Sequence, residues 1–241
     1  MNKHDLLFLF ESEKQVHSTV DLSQRDQSLL ISDNPKNPSY GRYRSLAKLI
    51  RVFKEGASWG KTHDRDGALK EVGIGGKKLY LTGVSVVQHL SGETISRWNI
   101  VTEATSDEIM KILSEGQYTK TDLSLLLDAP TSQTYARSGG TFYINAGGRV
   151  YQLQPLVGGT LENDAKTRRY TVEAMFLELT NPDGENKVLH DFYGGLLHFV
   201  NQRLVPINNN DQPNDDWDGF LGHTSDLTPK SFLFHRTLGR V

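Results

Sequence analysis

No cysteine occurs in the 241 residues, which excludes a disulfide framework, a thiolate metal site and a cysteine nucleophile together. Long apolar runs are also missing. The most compact one near the start, Leu6-Leu7-Phe8-Leu9-Phe10, ends at Glu11 and is too short for a membrane span or a signal-peptide apolar region. The chain therefore reads as intracellular, with neither a signal peptide nor a transmembrane segment. Proline is scarce, at 8 residues, and no repeat or heptad pattern appears. Catalytic signatures are missing as well. There is no G-x-S-x-G: Gly83-x-Ser85 lacks the last glycine, and Ser138-Gly139-Gly140 precedes a strand instead of a helix. The histidines, including His190, His198, His223 and His235, lack the one-turn spacing of a zinc site.

What is present is a charge division. The formal net charge is −2, yet residues 36–78 hold 11 Lys/Arg against 4 Asp/Glu, a local +7, and residues 161–241 hold 8 against 12, a local −4. A block of this kind fits a polyanionic partner: nucleic acid, an anionic membrane surface or an acidic protein face. At 37% apolar and 23% charged residues, the composition supports a packed core.

The pattern predicts an α+β fold of antiparallel β-hairpins forming a sheet, with an N-terminal basic amphipathic helix and one or two further short helices. Residues 1–40 read as an N-terminal arm, and 41–241 as one domain with a long polar loop at 208–228. The helix is expected over 42–55, where Tyr43, Leu46, Leu49, Ile50 and Phe53 recur on one face. Arg44, Lys48 and Arg51, with Lys54, form a basic stripe on another face. Leu79 to Leu90, with Val84, Val86 and Val87, reads as a strand that turns at Ser91-Gly92 and returns over Thr94 to Thr102. Thr105-x-x-Glu108 is a capping box opening a helix that ends at Gly116, and Thr121 to Leu127 is a further short helix. Two hairpins are expected later: Thr141 to Asn145 with Arg149 to Gln154, and Tyr170 to Thr180 with Lys187 to Tyr193. Phe199 to Ile207 and Ser231 to Leu238 are further strand candidates.

Three candidate sites follow. The glycine-rich Gly73-Ile74-Gly75-Gly76-Lys77-Lys78 has a phosphate-loop composition, but a strand follows it and Leu79 stands where Ser or Thr is needed. It is a turn whose Lys77 and Lys78 join the basic surface. With Arg44, Lys48, Arg51 and Lys54 they make the expected polyanion site, each phosphate contact being salt-sensitive and sequence-independent. Asn214-Asp215-Asp216-Trp217-Asp218-Gly219 begins like a calcium loop, so Asn214, Asp216 and Asp218 are candidate ligands; position twelve is Ser225 instead of Glu, which makes any calcium site weak. No other cofactor and no small-molecule substrate is indicated.

The order of a basic amphipathic helix at 42–55, a strand near 79–90 and a late antiparallel sheet resembles the matrix proteins of negative-strand RNA viruses, although the Pro-Pro-x-Tyr motif of many such proteins is absent. The resemblance implies a viral matrix-like, membrane-peripheral structural protein. Together with the charge division it leads to the first expectation: a non-enzymatic structural or assembly protein that binds nucleic acid or an anionic membrane and forms a homo-oligomer. The alternative is a hydrolase or toxin-like effector with a His/Asp site in the C-terminal third, tested first at Asp191, Asp216, Asp218, His223 and His235.

Overall fold

The computed structural model describes residues 18–21, 46, 49–50, 52–54, 76–91, 95, 97–116, 118–126, 133–146, 149–179, 188–208, 217 and 220. Their centre is a nine-stranded sheet in the order β1-β9-β8-β2-β3-β7-β6-β5-β4. The strands are β1 Ser18–Asp21, β2 Leu79–Thr82, β3 Trp98–Thr102, β4 Thr119–Lys120, β5 Thr134–Ser138, β6 Thr141–Ala146, β7 Arg149–Pro155, β8 Met175–Glu178 and β9 Val188–Asp191. The helices are α1 Val84–Leu90, α2 Ser106–Glu115, α3 Leu161–Lys166 and α4 Gly195–Val200. The fold is α+β. The sheet is mixed, because β3 and β7 run parallel, as do β4 and β5, while the other pairs are antiparallel. The expectation of antiparallel hairpins thus holds for only part of it. Parallel neighbours need a long crossover, and the β3-to-β7 connection runs through α2 and three strands.

Both faces of the central strands are covered. Leu79, Leu81 and Ile100 point into the main core with Leu177, Phe142 and Tyr151, while Tyr80 and Val101 point into a second cluster with Phe176, Leu156 and Ala165. This is the period-two alternation of a strand, applied where each side has something to pack against. The apolar positions 46, 49, 50 and 53 are helical and buried in the main core, as their spacing predicts. Arg44, Lys48 and Arg51 lie outside the described residues, so the basic stripe is not traced. Within the stretch expected to be an arm, Ser18–Asp21 forms the edge strand beside β9.

The Leu79–Leu90 strand is the main correction. Only Leu79–Thr82 is extended; Gly83 then takes φ +63°, a conformation that glycine adopts without a Cβ penalty, and the chain enters α1. The valines turn inward as helix residues, and burying them in the main core outweighs their preference for extended backbone. β2 and β3 still pair antiparallel, with Leu81 opposite Ile100, but a helix joins them in place of a tight turn. Phe199 to Ile207 is likewise not a strand: Phe199 belongs to α4, and the only strand-like contact of the segment is the isolated bridge between Pro206 and Tyr170. Tyr170 to Ala174 departs from the expected strand as a 3-10 turn over Thr171–Ala174 that leads into β8. Thr121 to Leu127 reduces to a 3-10 turn over Leu123–Leu125.

Other expectations match. β6 and β7 form the hairpin around residue 147, and β8 pairs antiparallel with β9. The capping box opens α2: the Thr105 hydroxyl accepts the Glu108 N–H at 3.3 Å, and the Glu108 carboxylate accepts the Thr105 N–H at 2.8 Å. Gly116 closes that helix, where a Cβ would stand 2.8 Å from a Val52 methyl. Thr105→Ala is expected to cost about 1 kcal/mol, a typical value for a lost N-cap. A melting curve lowered by roughly 2–4 °C is the check.

Candidate functional site: a cleft lined by arginines

Three central strands end at one place. β2 stops at Gly83, β3 begins just after Arg97, and β8 begins just after the Thr171–Ala174 turn. Because β2 is antiparallel to both neighbours, the exit of β2 and the entries of β3 and β8 share one end of the sheet. A cleft of about 340 Å³ opens there. Gly83, Val84, Arg97 and Asn99 line one wall, and Thr167, Arg168, Arg169 and Glu173 line the other.

Each wall is fixed from behind. On the first, the buried Ser85 hydroxyl donates to the Arg97 carbonyl at 2.6 Å and accepts the Asn99 N–H at 2.8 Å, which ties α1 to the start of β3. The backbones that carry Arg97 and Asn99 are thereby held at a set distance from Gly83. On the second wall, Thr160 caps α3 by accepting the Asn163 N–H, and the helix ends at Thr167. Buried Asp164, 1% exposed, lies one helical turn before Arg168. Its Oδ1 accepts from Arg168 Nε at 2.8 Å and also from Arg168 Nη2, while its Oδ2 accepts the Val157 N–H at 3.0 Å. The Arg168 guanidinium also lies over the Phe176 ring, and that of Arg169 stacks 4.8 Å from the Tyr170 ring centroid. A guanidinium held by a carboxylate and an aromatic face has few rotamers left to lose when it meets an anion. The two walls meet where Thr82 Oγ1 donates to the Glu173 carbonyl at 3.3 Å.

Among the described lining residues, three arginines stand against one glutamate, and with the buried Asp164 that pairs Arg168 counted the site carries a formal +1 in a chain of net charge −2. The glutamate is itself engaged: its Oε2 accepts the Tyr170 N–H at 3.2 Å. A concave surface of this sign attracts an anion, and guanidinium forks match the geometry of phosphate or carboxylate oxygens. Behind the second wall, Thr171 Oγ1 lies 2.8 Å from His198 Nδ1. Burial lowers the His198 pKa below the usual histidine value, opposed by Asp191 and reinforced by Arg203, so this hydrogen bond involves the neutral ring at pH 7.

The residues singled out by sequence fall elsewhere. Lys77 Nζ is 2.8 Å from Glu108 and Lys78 Nζ is 3.2 Å from Glu178, so both are already ion-paired. Lys54 is exposed near the end of its helical segment. Asn214, Asp216, Asp218, His223 and His235 lie outside the described residues. Asp191 is buried and accepts the backbone N–H groups of Tyr193, Gly195 and Leu196, which is the work of a helix cap. Among the described residues no group of three or more His, Asp or Glu side chains is arranged to hold a metal ion, and no helix is long and apolar enough to cross a membrane.

No family model matches the chain, and no curated protein matches it. Several solved structures are similar to it. A CCA-adding enzyme in complex with ATP is 17% identical over 79% of this chain and 36% of its own, with a TM-score of 0.49. The Thermotoga maritima CCA-adding enzyme complexed with tRNA is 18% identical over the same shares, with a TM-score of 0.48. The Bacillus stearothermophilus enzyme in complex with CTP is 22% identical over 55% of this chain and 30% of its own, with a TM-score of 0.39. The chain thus spans about a third of the length of these proteins.

These findings correct the leading expectation. The similar structures are CCA-adding enzymes, where the leading expectation was a non-enzymatic, viral matrix-like structural or assembly protein, and that expectation is carried no further. The physical reason is visible in the site. The charge block behind that expectation counted Lys77 and Lys78, whose charge is spent on carboxylates of the same molecule. The arginines that do converge come from residues 97, 168 and 169, outside the block. No spacing in the sequence points to the cleft, since it forms only when these segments meet.

Proposed function

We propose that the chain binds a nucleotide through its phosphates in the cleft at the end of β2. The observation that carries this reading is the convergence of Arg97, Arg168 and Arg169 on one concave site, with Arg168 oriented by buried Asp164. The volume falls within the usual range of small-ligand sites, roughly 300–1,000 Å³. Arg97 and Arg169 supply charge-assisted hydrogen bonds to phosphate oxygens, Arg168 supplies a fixed fork, and the Asn99 amide and Thr167 hydroxyl orient the remainder. ATP and CTP, named with the similar structures, are the first ligands to test. The expected intracellular location fits such a ligand.

Titration of the full chain with ATP and with CTP, followed by calorimetry and by the rise in melting temperature, is expected to show saturable binding to one site. Arg97→Ala and Arg169→Ala should each weaken it about tenfold to a hundredfold, as expected for lost hydrogen bonds to a charged group. Unchanged affinity in both variants, or no binding of any nucleotide or of inorganic triphosphate, overturns the reading.

The basic segment that includes Arg44, Lys48, Arg51 and Lys54 remains a proposed contact for a nucleic-acid backbone, with Lys77 and Lys78 contributing less because of their ion pairs.

A further inference from the structure

Triphosphates in solution usually travel with Mg²⁺, which binds through carboxylates as well as phosphate oxygens. The cleft offers a different donor set. Among the described residues its lining has one carboxylate, Glu173, and that group accepts the Tyr170 N–H. Asp164, behind Arg168, has both oxygens taken, one by the guanidinium and one by the Val157 N–H. At Arg97 and Asn99, where β3 enters the cleft, the side chains are a cation and a neutral amide. A divalent cation placed here would face described groups of net formal charge +1, with Asp164 already taken up by Arg168, where it would be repelled instead of coordinated.

Resting on the phosphate-site reading above, we infer that this cleft holds its ligand's phosphates through guanidinium groups alone and prefers the metal-free anion to its magnesium complex. Each arginine takes the part that a bridging ion plays elsewhere: it neutralises phosphate charge and fixes the chain of phosphorus atoms by directed N–H donors. Magnesium, by occupying phosphate oxygens and cancelling their charge, removes what the arginines recognise.

The experiment is a pair of titrations of the full chain with ATP, one in EDTA and one in excess Mg²⁺ at matched ionic strength, repeated with inorganic triphosphate. Tighter binding in EDTA is expected, by about fivefold, the size of one unit-charge interaction near 4 Å in water. Equal or tighter binding in Mg²⁺ overturns the inference while leaving the phosphate site standing. Absence of binding in either buffer overturns the phosphate site itself, so the two failures are distinct. Glu173→Gln supplies an independent arm. Removing the one lining carboxylate among the described residues should tighten binding of the free anion in EDTA; a variant that loses affinity specifically in Mg²⁺ would show that Glu173 holds a metal and would sink the inference.

Discussion

Alanine in place of Asp191 is expected to lower the stability of the chain by about 3–5 kcal/mol, because three backbone N–H donors lose hydrogen bonds to a buried carboxylate. The reason lies at the start of α4. The residue in the N-cap position is Gly194, at φ +69°, which has no side chain to offer the helix. Asp191 reaches forward in its place: Oδ1 accepts from Tyr193 at 3.2 Å and Gly195 at 2.8 Å, and Oδ2 accepts from Leu196 at 2.9 Å. The carboxylate is 1% exposed, so water cannot replace it. At roughly 2–4 °C per kcal/mol for a chain of this size, the melting temperature should fall by roughly 6–20 °C. Asp191→Asn retains one acceptor oxygen and should lose less. If the alanine variant melts within 2 °C of the parent, the capping role assigned to Asp191 is wrong.

Asp164→Asn should separate stability from recognition. The asparagine loses the charge that holds Arg168, and its amide N–H₂ competes with the guanidinium for the same space. Arg168 is 23% exposed on its side chain, so solvent moderates the loss, and about 2 kcal/mol of stability is expected to go. Nucleotide affinity should fall about tenfold, because the fork must be ordered again at each binding event. The informative comparison is Asp164→Ala with Arg168→Ala, singly and together. If Asp164 acts by positioning Arg168, the double variant should regain part of the stability lost by Asp164→Ala, yet bind no better than Arg168→Ala alone. An Asp164 variant with full affinity would end the positioning role.

Local chemistry was legible in the sequence where neighbours in the chain decide the outcome. Thr105 and Glu108 close their own hydrogen-bonded loop, and the positions before and after residue 147 carry their own hairpin. The apolar face of 46, 49, 50 and 53 is likewise a property of one helix. The failures occur where distant segments arbitrate. Val84, Val86 and Val87 satisfy the composition of a strand, and only their burial in the main core, with Ser85 engaged by β3, makes them a helix. Phe199 reads as extended from its neighbours alone, because the cap for its helix is supplied by Asp191, eight residues upstream at the end of β9.

The cleft was hidden for the same reason. No spacing rule relates Arg97 to Arg168, because their proximity depends on β3 and β8 flanking β2. One local signal was available: Asp164 and Arg168 stand at i and i+4, as do Glu162 and Lys166, a pattern that marks a short helix ending in a buried ion pair. Net charge counted along the chain pointed the other way. It credited Lys77 and Lys78 at full value and could not see the Glu108 and Glu178 oxygens that meet them.

The two-sided burial of β2 also bears on how the cleft can move. All four residues of that strand are buried, and it is hydrogen-bonded on both edges, to β3 and to β8. Such a segment exchanges its amide protons only through openings that approach global unfolding. The strand that leads into the cleft at Gly83 therefore has no low-energy breathing mode of its own. For the nucleotide proposed above, entry and release would then fall to the arginine side chains and the α3 wall, with β2 standing still.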